Sequence, residues 1–360
     1  GRGNLPSPVP AGRGPAFMLV SMLIVNPNIA TDRTIPLSAL VPGSVHRTGT
    51  AVTTLGGKGI NVARIGRAFG HRAVVVTFLP ADSAAQLTHL AAAEQAELAG
   101  VPVPGTARAA SILLEDSGRV TVLNEPGPPR EPGEWRQLLA EIERRAPEHQ
   151  SLVCSGSLPP GSPADAYAQI VAIGQRAGLR TIVDAASQAL AGVLPAHPDV
   201  VSPNLAEAES LLHGPSVEGV EPDGADVQQR AAAAARGLVA RGARRAIVSA
   251  GSHGAAFSDR DQTVFCPAPA VTVVSPIGAG DSLAGGLVHA LEEGQDWPAA
   301  VRYAIAVASA SCEQELAGGV DVARVAALAA QAPQAAHKPQ GAQKSQMAQQ
   351  SQAPEAPGAR

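Results

Sequence analysis

The chain has 360 residues, of which 45% are hydrophobic, enough for one large core or two ordinary ones. A formal net charge of −4 and an aromatic content of only 2% argue against a nucleic-acid-binding protein, which needs a basic surface and aromatic side chains for base stacking. The three cysteines are far apart and lack metal-ligand spacing, so they predict a reducing compartment and no disulfide framework.

The two ends of the chain differ in composition from the part between them. Residues 1–16 and 331–360 are poor in large apolar side chains and rich in Pro, Gly, Gln and Ala, which predicts disorder. The folded domain is expected at 17–330. It opens with the apolar run FMLVSMLIV (17–25), which is too short to cross a bilayer and lacks the charged flank of a signal peptide. The run predicts a buried strand, and the protein is expected to be cytoplasmic, with no membrane contact.

Strand-like and helix-like segments then alternate along the chain. Helical patterns at 87–99 and 164–177 follow the strand-like runs AVVVTFL (73–79) and SLVCSG (151–156). Further strands are predicted at 181–185, 245–251 and 271–275, and the last of them leads into a helix at Asp281. This alternation predicts a three-layer α/β/α fold, in which helices cover both faces of a mainly parallel sheet.

Two regions, at about 33–54 and 108–125, break this alternation. The first contains extended segments, and the second contains an alternating stretch that turns at Asp116-Ser117-Gly118. They predict a small antiparallel sheet, which we expect to form a lid over a site at the strand ends.

The stretch LGGKGINVARIGRAFG (55–70) places a glycine pair and Lys58 before a helix with apolar residues at helical spacing and Gly70 as its C-cap. Lys58 is the only lysine outside the low-complexity end. A plain strand-to-helix turn would also explain the glycines. The solitary lysine, with Asn61 one turn later, favours a ligand site.

The stretch SPIGAGDSLAGG (275–286) sets Gly278, Ala279 and Gly280 at a helix start, where backbone N–H groups bind anions, and then adds Asp281. An acidic residue also stabilises the first turn of a helix, and that alternative stays open. The functional interpretation makes the three N–H groups a hole for the charge of a transferring phosphoryl group. Asp281 is then the base that takes the proton of the attacking hydroxyl.

Two further stretches carry weaker signals. In SPNLAEAE, the spacing of Asn204 and Glu207 places both side chains on one helical face, where they could orient a hydrated Mg²⁺. A helix-capping box is the competing interpretation and, taken alone, the better one. SAGSHGA (249–255) is a glycine-rich exit from a strand, which suits a nucleotide phosphate or an ordinary turn.

Together these stretches resemble the PfkB branch of the ribokinase-like carbohydrate kinases, within it the 1-phosphofructokinase and tagatose-6-phosphate kinase group. GGKGIN and SPIGAGD match the two motifs of the family, and the similarity runs from Asn26 to Gly319. LNEPGP (123–128) and SGSLPPG (155–161) are similar to the hexose-phosphate group rather than to ribokinase or adenosine kinase.

The resemblance implies a role for each matched residue. It makes Asp281 the catalytic base, with the anion hole at Gly278, Ala279 and Gly280. It implies that the substrate is contacted by Asp32, Gly57, Lys58, Asn61, Arg108 and Ser157, with Arg108 as the clamp on the phosphate already present. The ATP site would be formed by Asn204, Glu207, Ser249, Gly251, Gly254 and Gly319. Asn204 and Glu207 would also organise the metal, through water.

The activity that the resemblance implies is ATP- and Mg²⁺-dependent phosphorylation of a ketohexose phosphate, with D-fructose 1-phosphate giving D-fructose 1,6-bisphosphate. Tagatose-6-phosphate kinase, fructose-6-phosphate kinase and a catalytically weak sugar-phosphate sensor are the alternatives. A homodimer formed through the lid is a further expectation. Several departures from the group cluster on the sugar side and motivate the sensor alternative: Pro80 and Ala81 for a glycine pair, Thr106 and Ala107 for Glu and Thr, and Ala110 for Asn.

Overall fold

The computed structural model describes residues 21–49, 51–185, 187–214 and 224–331. The strands of this part of the chain are β1 (Ser21–Val25), β2 (Ala30–Leu37), β3 (Val52–Gly56), β4 (Arg72–Pro80), β5 (Glu97–Val103), β6 (Arg108–Glu115), β7 (Val120–Asn124), β8 (Ser151–Ser155), β9 (Arg180–Asp184), β10 (Val200–Val201), β11 (Ala246–Ser249), β12 (Gly254–Ser258) and β13 (Thr263–Pro267). The helices are α1 (Lys58–Ala68), α2 (Ala84–Ala93), α3 (Pro132–Arg145), α4 (Ala166–Arg176), α5 (Ser187–Val193), α6 (Leu205–His213), α7 (Val227–Ala240), α8 (Ala279–Glu292), α9 (Trp297–Ser311) and α10 (Val322–Gln331).

The large sheet contains nine strands in the order β13-β12-β11-β10-β9-β8-β1-β4-β5. The strands from β11 to β5 run parallel, whereas β12 and β13 pair antiparallel at one edge. Successive side chains of a strand point to opposite faces, so Leu23 and Val25 belong to the core that includes α3 to α7, whereas Met22 and Ile24 belong to the core that includes α1, α2, α8 and α9. The predicted three-layer α/β/α fold is confirmed.

Most of the predicted elements of the large sheet are confirmed, but one helix ends earlier than predicted and one strand does not form. The helical pattern predicted for 87–99 ends at Ala93, and the chain then turns at Gln95 (φ 53) into the edge strand β5. The strand predicted for 271–275 does not form, although the N–H groups of Val274 and Ser275 both donate to the carbonyl of Cys312. The sheet edge next to β11 is formed by the β12–β13 hairpin, which the sequence interpretation missed.

The small sheet contains four strands in the order β3-β2-β6-β7 and is separate from the large sheet, as predicted. The predicted antiparallel pairing is confirmed for β2–β3 and β6–β7, whereas the central pair, β2 and β6, runs parallel. Both strands follow parallel strands of the large sheet, β1 and β5, and therefore leave that sheet in the same direction. The predicted turn at 116–118 is confirmed as the connection between β6 and β7.

The ends of the predicted domain are only partly described. Residues 1–16, the first four residues of the predicted opening strand and residues 332–360 lie outside the described residues. Gln331, predicted to begin the disordered tail, is the last residue of α10. Cys154 and Cys266 are buried and Cys312 is partly buried. None of the helices in the described part of the chain is long and apolar enough to cross a membrane.

Candidate active site

The candidate site lies where the parallel strands of the large sheet end. The carboxyl ends of neighbouring parallel strands meet at one edge of a sheet, which is where α/β proteins bind their ligands. Polar residues and glycine lie at or just after the ends of five strands along this edge. They are Asn26 and Asn28 after β1, Gly156 and Ser157 after β8, Asp184 at the end of β9, Asn204 after β10, and Ser249 at the end of β11. The order of the strands therefore places these residues in a row.

Two helices begin at this edge and supply the central side chains. Gly57 precedes α1 with a φ of 118, and a Cβ at this position would lie 2.6 Å from Nδ2 of Asn26. Only glycine allows this close approach, which brings Lys58 and Asn61 next to the end of β1. Gly278 precedes α8 and places Asp281 in the first turn of that helix.

Asp281 is only 5% exposed, and its Oδ2 accepts a hydrogen bond of 2.7 Å from Nδ2 of Asn61. Burial and the negative charge of Asp184 raise the pKa of Asp281 from 3.8 to about 8, although the Lys58 charge and the Asn61 hydrogen bond act in the opposite direction. A carboxylate of this kind is a stronger base than an exposed aspartate.

Lys58 is surrounded by acids. Its Nζ lies 3.4 Å from Oδ1 of Asp184 and 3.8 Å from Oε1 of Glu207. The Lys58 side chain is 40% exposed, so desolvation disfavours its charge only in part, and the charges of Asp184, Glu207 and Asp281 raise the pKa of Lys58. Lys58 therefore stays protonated. The structure places it among these acids rather than beside Arg108.

Asp184 is a residue that the sequence interpretation missed. It is 3% exposed, and its Oδ2 has no hydrogen-bond partner among the described residues. No motif surrounds it. The available signal was its position at the end of the predicted strand TIVDA, because an acidic residue at the carboxyl end of a buried parallel strand faces the site.

The predicted capping box of α6 is confirmed. Asn204 Oδ1 accepts from the N–H of Glu207 at 2.8 Å, and Glu207 Oε2 accepts from the N–H of Asn204 at 2.9 Å. The other carboxylate oxygen of Glu207 faces Lys58. Capping thus fixes Glu207 in an orientation that also points one oxygen toward the site.

The start of α8 offers backbone donors. Among the described residues, the N–H groups of Gly278, Gly280 and Asp281 have no hydrogen-bond acceptor. The N–H of Ala279 donates to the carbonyl of Pro276 at 3.3 Å. Of the three predicted donors, Gly278 and Gly280 are therefore available, and the N–H of Asp281 joins them.

Three of the predicted substrate residues lie close together at the β1 end of this row of strand-end residues. Asn28 Nδ2 donates to Ser157 Oγ at 3.0 Å, and Arg108 Nε donates to the carbonyl of Asn28 at 3.1 Å. Burial raises the pKa of Asp32, and the nearby Arg108 charge partly offsets that shift. Asn28 was missed by the sequence interpretation. The available signals were its position directly after the strand β1 and its place in the stretch PNIATDRT, which was matched through Asp32.

The sugar-side departures lie around this cluster. Ala110 is 5% exposed and pairs with Asp32 between β6 and β2. Pro80 is the last residue of β4, and the N–H of Ala107 donates to Ser83 Oγ at 3.0 Å. Thr106 lies at the surface beside Asp82, with 3.5 Å between the two side-chain oxygens.

The predicted nucleotide residues are only partly brought together. The N–H of Ser249 donates to the carbonyl of Pro203 at 3.1 Å, so Ser249 lies beside Asn204, and Gly251 follows in an exposed turn. A Cβ at Gly254 would lie 2.1 Å from the carbonyl oxygen of Cys266, so the β12–β13 pairing explains this glycine.

Gly319 lies apart from this group. It lines a cavity of about 410 Å³ with Arg67 and His71, on the side of α1. Its N–H donates to the carbonyl of Leu316 at 2.8 Å, and no described contact joins it to Ser249.

The chain is similar to known proteins over most of its length. Residues 26–322 match the family described as pfkB family carbohydrate kinase. The 1-phosphofructokinase of Rhodobacter capsulatus is 33% identical over 291 residues, which cover 80% of this chain and 89% of that protein. The tagatose-6-phosphate kinase of Staphylococcus epidermidis is 30% identical over 278 residues, 75% of this chain and 86% of that protein.

A solved structure extends the similarity to the fold. The phosphofructokinase-2 of Escherichia coli in complex with fructose-6-phosphate superimposes with a TM-score of 0.73 at 28% identity, over 87% of this chain and 99% of that chain. The family match covers most of the chain, and the relatives are matched over most of their own length. The chain therefore belongs to the pfkB family of carbohydrate kinases.

Proposed function

We propose that this protein transfers the γ-phosphoryl group of ATP to a hydroxyl group of a ketohexose phosphate, and that it converts D-fructose 1-phosphate to D-fructose 1,6-bisphosphate. The observation that carries the proposal is the buried carboxyl of Asp281, which is held by Asn61 at a helix start with free N–H groups and lies near Lys58. The names of the relatives support a phosphorylated ketohexose as the acceptor.

The proposed chemistry is an in-line displacement. The carboxylate of Asp281 accepts the proton of the sugar hydroxyl while that oxygen bonds to the γ-phosphorus, and the bond to the bridging oxygen breaks to release ADP. Lys58 and the N–H groups of Gly278 and Gly280 stabilise the negative charge on the transferring group. Since the acceptor is held in place, much of the rate enhancement comes from orientation.

The acidic surroundings of Lys58 fit a magnesium ion. One lysine faces Asp184, Glu207 and Asp281, and Asp184 keeps an unpaired buried oxygen. Among the described residues, no three His, Cys, Asp or Glu side chains form a metal site of their own. Asn204 and Glu207 would hold Mg²⁺ through water when it enters with ATP. When bound, it would neutralise phosphate charge.

The proposed acceptor site is the cluster around Asn28. Arg108 provides a cation for the phosphate that the sugar already carries, and Ser157 adds a hydroxyl donor at the same end. Asp32 binds sugar hydroxyls, since an ionised carboxylate accepts hydrogen bonds. The kinase domain is proposed to span 17–330, with residues 33–54 and 108–125 as its lid.

We further propose that a second copy of the chain covers the small sheet. Four large apolar side chains in or beside this sheet are exposed: Val41 by 51%, Val45 by 83%, Val52 by 55% and Leu123 by 59%. Exposed apolar surface of this kind marks interfaces. The phosphofructokinase-2 of Escherichia coli has been solved in a tetrameric form, which supports self-association.

A coupled assay of ADP release over a panel of sugars tests the function. With ATP and Mg²⁺, we expect turnover of fructose 1-phosphate to exceed that of tagatose 6-phosphate, fructose 6-phosphate and free fructose. Faster turnover of either 6-phosphate would replace the proposed substrate. Binding of sugar phosphates without turnover of any of them would identify a sensor and contradict the proposal.

A further inference from the structure

We propose that Arg64 is a positioning residue for phosphoryl transfer, because it fixes which end of the Asn61 amide faces Asp281. This inference rests on the proposed function. Arg64 lies one turn after Asn61 on α1, is only 8% exposed and has no predicted role in the sequence. It belongs to the buried network behind the catalytic base.

The orientation of Asn61 follows from the hydrogen bonds on its two sides. Arg64 Nη1 donates to Asn61 Oδ1 at 2.6 Å, and Asn61 Nδ2 donates to Asp281 Oδ2 at 2.7 Å. A guanidinium has donors only, so it holds the amide oxygen and turns the NH₂ group toward the carboxylate. A flipped amide would place its oxygen against the ionised carboxylate of Asp281, where two acceptors repel each other.

Three further hydrogen bonds fix the guanidinium of Arg64. Its Nη2 donates to the carbonyl of Leu55 at 2.6 Å, its Nη1 to the carbonyl of Ala317 at 3.0 Å, and its Nε to Glu94 Oε2 at 2.9 Å. Glu94 Oε1 also accepts from the N–H of Leu55 at 2.8 Å. Because these acceptors lie around the rigid plane of the guanidinium, the group is fixed in position.

These contacts separate a positioning role from a substrate-binding role. The donors of Arg64 are directed at protein atoms, and the side chain is buried behind Asn61. The charged groups that act on Asp281 are Asp184 from β9 and Lys58 from α1. Arg64 acts on Asp281 through Asn61, so its loss should change the protonation of the base as well as the rate.

The test compares Arg64→Gln, Arg64→Lys and Glu94→Gln with the parent. The matched control is Arg176→Gln, which removes a guanidinium from a surface ion pair whose side chains are 62% and 64% exposed. We expect Arg64→Gln to lower kcat near neutral pH by about tenfold or more, while KM for ATP stays within about twofold. The acidic limb of the kcat profile should move up by about one pH unit, because the carboxylate loses a fixed donor.

The other variants should change kcat and the pH profile by smaller amounts than Arg64→Gln. Arg64→Lys keeps one donor for Asn61 and should recover part of the loss, and Glu94→Gln should shift the profile less than Arg64→Gln. Arg176→Gln should leave kcat and the profile unchanged. If Arg64→Gln does not fold, Arg64→Lys and Glu94→Gln still decide the question. A uniform loss of activity at every pH, matched by a lower Tm, would overturn the proposal.

A second readout is independent of catalysis. In the ligand-free protein, the side-chain amide signals of Asn61 should follow the titration of Asp281 in NMR spectra of the parent, and this response should be lost in Arg64→Gln. Unchanged signals in the variant would overturn the role of Arg64. If the parent phosphorylates none of the sugars, the proposed function fails, while this measurement still tests the orientation of Asn61.

Discussion

Lys58 Nζ lies 3.4 Å from Oδ1 of Asp184, so the only lysine outside the low-complexity end is paired with a buried acid at the end of β9. Glu207 and Asp281 also act on this lysine. One cation is therefore shared among three buried carboxyls. Removing any one of them changes the charge balance of the others.

Asp184→Asn tests whether the buried carboxyls around Lys58 influence each other's protonation. Since the negative charge of Asp184 helps to raise the pKa of Asp281, we expect the acidic limb of the kcat/KM profile to move down by about one pH unit. Steady-state kinetics across the pH range measure the shift. Asp261→Asn, which changes an exposed aspartate in the loop after β12, is the matched control and should not move the limb. An unmoved limb in Asp184→Asn would show that the two acids titrate independently.

Asp281→Asn tests the proposed role of Asp281 as the catalytic base. The amide keeps the shape of the side chain and loses its basicity, so we expect turnover to fall by about a hundredfold to ten-thousandfold. The dissociation constant for ATP should change little, and isothermal titration calorimetry measures it. Turnover above about a third of the parent rate would make Asp281 a structural residue of α8, the alternative that the sequence left open.

The same variant tests the pKa of Asp281 through stability. Burial raises this pKa from 3.8 to about 8, so between these values the folded protein binds a proton that the unfolded chain has lost. The stability that this group contributes is complete below the lower value and is lost as the pH rises through the upper one. Asp281→Asn should therefore lose less free energy of unfolding than the parent between acidic and alkaline pH, by roughly 5 kcal/mol. Urea unfolding at both ends of this range measures the difference, and equal losses would contradict the assignment.

The sequence predicted the layers of the fold because buried parallel strands and amphipathic helices leave clear periodic patterns. It did not predict the β12–β13 hairpin, since the glycine that begins β12 also fitted a nucleotide-binding turn. The segment 271–275 has strand-like composition but does not form a strand, and the edge next to β11 is formed by β12 and β13 instead. Local composition cannot show which of two apolar segments takes a sheet edge.

The functional site, like the fold, was predicted from the sequence only in part. Motif spacing predicted Asp281 and Asn61 separately, but their hydrogen bond joins residues that are 220 positions apart. Asp184 has no motif around it, and only its position at a strand end was informative, whereas Asn28 lies in the stretch PNIATDRT that was matched through Asp32. The role proposed for Arg64 depends on the orientation of the Asn61 amide. That orientation is set by contacts between three separate parts of the chain.

Arg108→Ala tests the proposed clamp on the phosphate of the substrate. The guanidinium is held by the carbonyl of Asn28 beside Ser157, and it lies within the electrostatic field of Asp32. A charge-assisted contact to phosphate is worth about 1.5 to 3 kcal/mol, so KM for fructose 1-phosphate should rise by about tenfold or more, while KM for ATP stays constant. Steady-state kinetics with fructose 1-phosphate and with free fructose separate a lost clamp from general damage. If the preference for the phosphorylated sugar is unchanged, Arg108 is not the clamp.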